Sequence, residues 1–247
     1  MKLEDMTWLE VGEAIDDGVT TVVVGTGSVE QHGPALPMSV DTLRADALVE
    51  RIADDLGCFA GPTVRPGISD HHLAFPGTVS LSPETFADVI ADYCRSFEHH
   101  GFEHVAFVNT HGGNGETLAR VTRELDAEHD MHVFKAGSRE EFLEVRYGAM
   151  EEHGVDAESA GAHAGAAETS FVLESDRELV RSDRYERGFV GEVDGETLIE
   201  DGLDAVTANG VLGDQTQSSR RAGRTLIDDC VSYYVDAIAT ERADRRE

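Results

Sequence analysis

Between Gly27 and Asp41 the chain reads GSVEQHGPALPMSVD, which places Glu30, His32 and Asp41 in one short stretch. Carboxylates and imidazoles together suit Zn, Mn or Fe(II), and the mixture does not select sharply among the three. If Glu30-Gln31-His32 is extended, its outer side chains leave the backbone on the same side, where they can grip neighbouring ions. Pro34 and Pro37 stiffen the turn that follows, and Asp41 returns just before a helical run beginning at Thr42. Taken alone, the same residues also fit a solvated loop with Asp41 as a helix cap.

Two later segments add to this group. VAFVNTHGGN (105–114) reads as an apolar strand ending at His111, then glycines where backbone can pass close to a ligand. GAHAGAAETS (161–170) carries His163 and Glu168 five positions apart, near helical spacing, with small residues between them. Other polar residues read as structural. Ser69-Asp70-His71-His72 leads into Phe75-Pro76-Gly77-Thr78, where His71 or His72 could touch a substrate, but paired loop histidines are ordinarily solvated and stay outside the ligand set. His99, His100 and His104 surround Gly101 at a helix end, where imidazolium suits the dipole. Glu116 and Arg120 have the i,i+4 spacing of a helix-surface pair.

The elements that must position these groups alternate. Thr20–Val24 is β-branched and reads as a strand; residues 42–56 form a helix with Ala45, Leu48, Val49, Ile52 and Leu56 on its apolar side, closed by Gly57. Ser82 caps a second helix with Pro83 at its first position and Phe86, Val89, Ile90, Tyr93 and Phe97 as its stripe. Residues 104–108 read as a buried strand, 115–129 as a helix, 131–135 as a strand, and 138–153 and 219–241 as helices. The pattern is that of an α/β fold in which a mainly parallel sheet is flanked by helices, with the polar clusters at strand C-termini. No linker or repeat divides the 247 residues, so one domain spanning 1–247 is expected.

Charge sets the chain apart. Net charge is −29, from 49 acidic and 20 basic residues, and Lys2 and Lys135 are the only lysines. Such a surface repels nucleic acid. A 40% hydrophobic content in clear periods excludes disorder, and the even spread of charge points to a surface screened by concentrated salt, hence a halophilic source. No apolar run reaches the roughly 18 residues of a membrane span, and the acidic N-terminus is not a signal sequence. Cys58, Cys94 and Cys230 have no metal-binding spacing, which fits reduced thiols and a cytoplasmic location.

Gly27-Ser28-Val29-Glu30-Gln31-His32-Gly33-Pro34, Asp41-Thr42, Phe75-Pro76-Gly77-Thr78, His111-Gly112-Gly113-Asn114 and His163-Ala164-Gly165 with Glu168-Thr169-Ser170 resemble the creatininase family, in family order, from about Val22 to Asp214. The resemblance implies a creatininase-like three-layer sandwich and a homo-oligomer, hexameric in the family. It also implies two divalent metal ions per chain, with Glu30, His32, Asp41 and His111 as ligands and Asp41 bridging. Enzymes that open creatinine carry a Glu two residues after the ligand histidine, where this chain has Gly113, and close over substrate with tryptophan. Here the only tryptophan is Trp8, and residues 158–162 before His163 are small or acidic, so creatinine is not the expected substrate. Glu168 is the expected fifth ligand, by chemistry and by similarity to the HGGN-bearing branch.

Two ions sharing a carboxylate lower the pKa of a water between them to about 7 and polarise a carbonyl, so the expected reaction is attack of that hydroxide on an amide carbon. The leaving nitrogen needs a proton, and His163 is the expected general acid beside Glu168. The expected enzyme is thus a metal-dependent hydrolase of non-peptide C–N amide bonds. The branch suggests a formamide or cyclic amide such as a formamidopyrimidine nucleotide, whose deformylation belongs to flavin and deazaflavin synthesis, with Arg44, Arg65 and Arg139 as possible phosphate contacts. The alternatives are a peptidase trimming a redox-cofactor precursor and a catalytically silent metal-binding relative.

Self-repulsion at this charge opposes compaction, and salt shortens its range to about 3 Å at 1 M. The unfolding temperature of the metal-loaded protein, followed at several protein concentrations, is expected to climb between dilute buffer and molar KCl. A flat profile contradicts the halophilic reading.

Overall fold

Apolar, β-branched runs supply a parallel sheet with strands β1 (Thr21–Thr26), β2 (Phe59–Ala60), β3 (His104–Asn109) and β4 (His132–Lys135), in the order β2-β1-β3-β4. The structure is a computed structural model that describes residues 1–191, 193, 198 and 200–244. Strands β1 and β3 pair along their whole length, from Thr21 opposite His104 to Thr26 opposite Asn109, so they end side by side.

Helices cover both faces, which is why these strands are apolar on both sides. Val22, Val24, Val105, Phe107 and Val133 point into a layer filled by Phe86, Ile90, Cys94 and Phe97 of α3 (Pro83–His99) and Leu118, Val121 and Leu125 of α4 (Gly115–Glu128). Val11, Ala14 and Ile15 of α1 (Trp8–Asp16) pack against that layer. The alternate residues Val23, Ala106 and Val108 point the other way. There they meet α2 (Val40–Leu56), α5 (Arg139–Glu151), the short α6 (Ala157–Ala160), α7 (Ala166–Ser175) and the long α8 (Arg220–Asp244).

Local chemistry explains the boundaries. Ser82 accepts from the Thr85 backbone N–H with Pro83 behind it at the helix start, and Ser138 accepts from Glu141 N–H at the head of α5. Gly57 closes α2 in the left-handed region. Helix α2 begins two residues earlier than its periodicity suggests, so Asp41 lies inside the first turn and is no cap. Arg120 pairs with Glu124 and not with Glu116, the other residue four positions away along α4. The three cysteines are free and buried, and among the described residues no helix is long and apolar enough to cross a membrane.

From β1 the chain goes to β2 on one side of it, whereas β3 and β4 lie on the other. The crevice beyond the C-terminal ends of β1 and β3 is therefore a topological switch point, where open α/β sheets leave room for a site. The loop carrying Glu30 and His32 leaves the end of β1, and His111 follows the end of β3 by two residues.

Candidate metal centre

All five expected ligands come together there and are buried: Glu30 and His32 are fully inaccessible, and Asp41, His111 and Glu168 are no more than 4% exposed. Asp41 turns one carboxylate oxygen to each of two histidines. Its Oδ2 is 3.2 Å from His111 Nδ1 and its Oδ1 is 3.8 Å from His32 Nε2. Glu30 Oε2 lies 3.3 Å from His111 Nε2 on one side, and Glu168 Oε2 lies 3.6 Å from His32 Nε2 on the other. Ligand atoms of Glu30, Asp41 and His111 all fall within 4.8 Å of one another, as do those of His32, His163 and Glu168.

Backbone carbonyls decide which ring nitrogens face this space. A carbonyl can only accept, so the ring nitrogen beside it carries the hydrogen and leaves the other bare. His32 Nδ1–H donates to the Glu30 carbonyl at 3.2 Å, freeing Nε2. His111 Nε2–H donates to the Ile68 carbonyl at 2.8 Å, freeing Nδ1. His163 Nε2–H donates to the Gln31 carbonyl at 2.8 Å, freeing an Nδ1 that sits 3.7 Å from Glu30 Oε1. Anchoring the far nitrogen in this way is what holds metal-ligating histidines in place.

His163 does not share a helix with Glu168, as their spacing suggested. It lies in an extended stretch bridged to Leu212, and α7 begins at Ala166. Between them Ala164 adopts φ 55°, a left-handed conformation that turns its N–H onto Glu168 Oε2 at 2.6 Å. Strain at a non-glycine residue is thus spent on aiming a carboxylate.

Residues set aside or misread in the sequence complete the site. Arg44 is buried, and its Nη1 donates to Glu168 Oε1 at 2.6 Å, to Asp41 Oδ1 at 3.1 Å and to the Thr110 carbonyl at 3.2 Å. It is therefore an internal counter-charge and no phosphate contact. Its position three residues after Asp41, on the same helix face, was the signal available. Arg146, also buried, stands 3.8 Å from Glu168 Oε1; Arg65 pairs with Asp46 at the surface and Arg139 is exposed. His72 is 3% exposed and not solvated, with Nε2 3.4 Å from Glu30 Oε1. Ser28 donates to Asp41 Oδ2 at 2.8 Å. Gly113 has no space for a side chain, since a Cβ there would run into the Ile68 carbonyl and the His111 ring.

The electrostatics demand positive charge. Burial opposes ionisation of Asp41, yet the His32 and His111 rings beside it hold its carboxyl well below the usual carboxylate range. Burial likewise opposes charge on His32, but Asp41 and Glu168 push it up to about 9, and Glu30 and Asp41 raise His111 well above an ordinary imidazole. Burial and the charge on His32 push His163 down to about 4. Protons on His32 and His111 thus stand where cations would. Both Glu30 oxygens and His32 Nε2 are buried without a hydrogen-bond partner, a costly arrangement that divalent ions would relieve. The donor set fits such ions.

The profile of the creatininase family, described as creatinine amidohydrolase, matches residues 4–238. The mycofactocin precursor peptide peptidase of Mycobacterium ulcerans (strain Agy99) is 32% identical over 227 residues, covering 86% of this chain and 83% of its own length. A mutant creatininase of zinc–zinc type superposes with a TM-score of 0.82 at 26% identity, covering 97% of each chain. A manganese creatininase superposes with a TM-score of 0.79 at 25% identity, covering 97% of this chain and 98% of its own.

Purified protein is expected to carry close to two divalent ions, and Asp41→Ala to lose both, by elemental analysis. Because loading must displace protons from His32 and His111, affinity should fall as pH drops from about 9 to about 6, with protons released on binding. Wild-type occupancy in Asp41→Ala, or pH-independent affinity across that interval, contradicts the shared site.

Proposed function

We propose, from the premise that this chain belongs to the creatininase family, that it is a two-metal amidohydrolase in which Glu30, Asp41 and His111 hold one ion and His32, Asp41 and Glu168 the other. The observation that carries this reading is the Asp41 carboxylate, with one oxygen towards His111 and the other towards His32. Ions held there would supply a nucleophilic water of lowered pKa and polarise the substrate carbonyl.

The chain's own groups do the rest. Arg44 and Arg146 back Glu168 with positive charge from the side away from His32, so that the carboxylate stays ionised and aimed although it is buried. Ser28 fixes Asp41 from its other oxygen. Cleaving an amide leaves a nitrogen that must gain a proton before the C–N bond breaks. His163 is the proton donor in this reading: its Nε2–H is tied to a backbone carbonyl, and its bare Nδ1, which opens onto Glu30 and the space between the ligands, would first take the proton given up by the attacking water and then pass it to the leaving nitrogen.

For the substrate, the reading favours a peptide amide over a formamidopyrimidine nucleotide. A relative over 30% identical and matched along most of its length is named a precursor peptide peptidase. The nucleotide reading needed phosphate contacts, and Arg44, the one of its three arginines nearest the ligands, is consumed by Asp41 and Glu168. Creatinine is disfavoured by Gly113, which excludes the glutamate that creatinine-opening enzymes carry, and by Trp8, which is 80% exposed on α1.

Metal-loaded protein offered short peptides, a formamidopyrimidine nucleotide and creatinine is expected to hydrolyse the peptides fastest. His163→Ala should keep both ions and lose about 10²- to 10⁴-fold in turnover, the range for a positioned acid, whereas Glu168→Gln should lose metal. Equal metal loss in both variants would show that the two roles are confused. No hydrolysis of any amide by fully loaded protein would favour a silent metal-binding relative.

A further inference from the structure

Glu30 lies between two histidines at nearly equal distance. His72 Nε2 is 3.4 Å and His163 Nδ1 is 3.7 Å from the same oxygen, Oε1, and these three residues form a further group close enough to hold an ion. Their hydrogen bonds make them chemically opposite, and Gln31 is the residue that does so.

The Gln31 amide has a fixed orientation, because Oε1 accepts from the Gly33 backbone N–H at 2.8 Å. Nε2 therefore carries two hydrogens and has three neighbours: the Gly210 carbonyl at 3.1 Å, His72 Nδ1 at 3.1 Å and His163 Nε2 at 3.0 Å. The Gly210 carbonyl can only accept and takes one hydrogen. His163 Nε2 already donates to the Gln31 backbone carbonyl, so it has no lone pair to offer. The second hydrogen goes to His72 Nδ1. A neutral His72 that accepts at Nδ1 carries its own hydrogen on Nε2, the atom that faces Glu30.

We propose that Gln31 is a positioning residue that fixes which edge each ring turns towards Glu30, the N–H edge of His72 and the bare nitrogen of His163. His72 is thereby kept from acting as a metal ligand although it is as near to Glu30 as a ligand would be, and the ions are confined to the two groups that share Asp41. Gly210 belongs to the device: it sits at φ 74°, and a Cβ there would collide with the Gln31 amide, so only glycine lets this carbonyl reach it. The inference rests on the metal-centre reading for its consequence, but the hydrogen-bond pattern exists without ions.

The test is imidazole ¹⁵N NMR of histidine-labelled protein, metal-free and zinc-loaded, with His72→Gln used to assign its resonances among the 11 histidines. Wild-type His72 and His163 are both expected with the hydrogen on Nε2. Gln31→Glu replaces the amide donor by an acceptor and is expected to move the His72 hydrogen to Nδ1. Gln31→Met removes both amide hydrogens and is expected to leave His72 exchanging between tautomers, with turnover down about 10- to 100-fold, as for other groups that orient a metal centre. A wild-type His72 protonated on Nδ1, or a tautomer unchanged in Gln31→Glu, overturns the proposal, and the wild-type spectrum decides alone if a variant fails to fold. Wild-type protein that binds no zinc but shows the expected tautomers would defeat the metal reading and leave this one standing.

Discussion

Three carboxylates, from Glu30, Asp41 and Glu168, are brought into one place buried from bulk solvent. Removing an ionised group from water costs several kcal/mol even after relaxation, so this arrangement persists only if positive charge is supplied to it. Much else in the fold can be read as a response. Arg44 and Arg146 supply fixed charge to the outer side of Glu168. His32, His111 and His163, each tied by one nitrogen to a backbone carbonyl, present the other to the interior. What they leave unsatisfied, both oxygens of Glu30 and Nε2 of His32, calls for cations that can be taken up and shared.

The sheet makes this geometry cheap to hold. Because β1 and β3 are in register along their full length and end together, the loops that follow them emerge side by side at the switch point. Glu30, His32 and His111 are thus placed by strands buried on both faces, and Asp41 by the first turn of a helix packed on the same sheet. Glu168 comes from α7 on that side, aimed by the strained Ala164.

Much of this was legible from residue order alone. The strand and helix periods gave the parallel sheet and its helical layers, since burial on one or both faces writes itself directly into apolar spacing. The polar clusters that hold the five candidate ligands stood out in the sequence, but their roles as ligands came from the resemblance to the family. What stayed hidden depends on contacts between distant segments. The i,i+3 spacing from Asp41 is the one local sign that Arg44 is not a surface arginine, and its pairing with Glu168 exists only once α2 is docked against α7; His72 looks solvated until its loop is folded over Glu30. The spacing of His163 and Glu168 misled for a related reason: five residues suggest one helix face, but a left-handed alanine between them breaks the helix. Gly113 could be noted in the sequence, yet only the structure shows that Ile68 and His111 close the space a side chain there would need.

Asp41 must serve two ions at once, and anomalous diffraction from crystals of the zinc- or manganese-loaded protein tests that directly. Two peaks about 3.5–4 Å apart, the separation of ions that share a ligand, are expected on either side of the Asp41 carboxylate, one by Glu30 and His111 and the other by His32 and Glu168. A single peak, or a second peak among Glu30, His72 and His163, would contradict it.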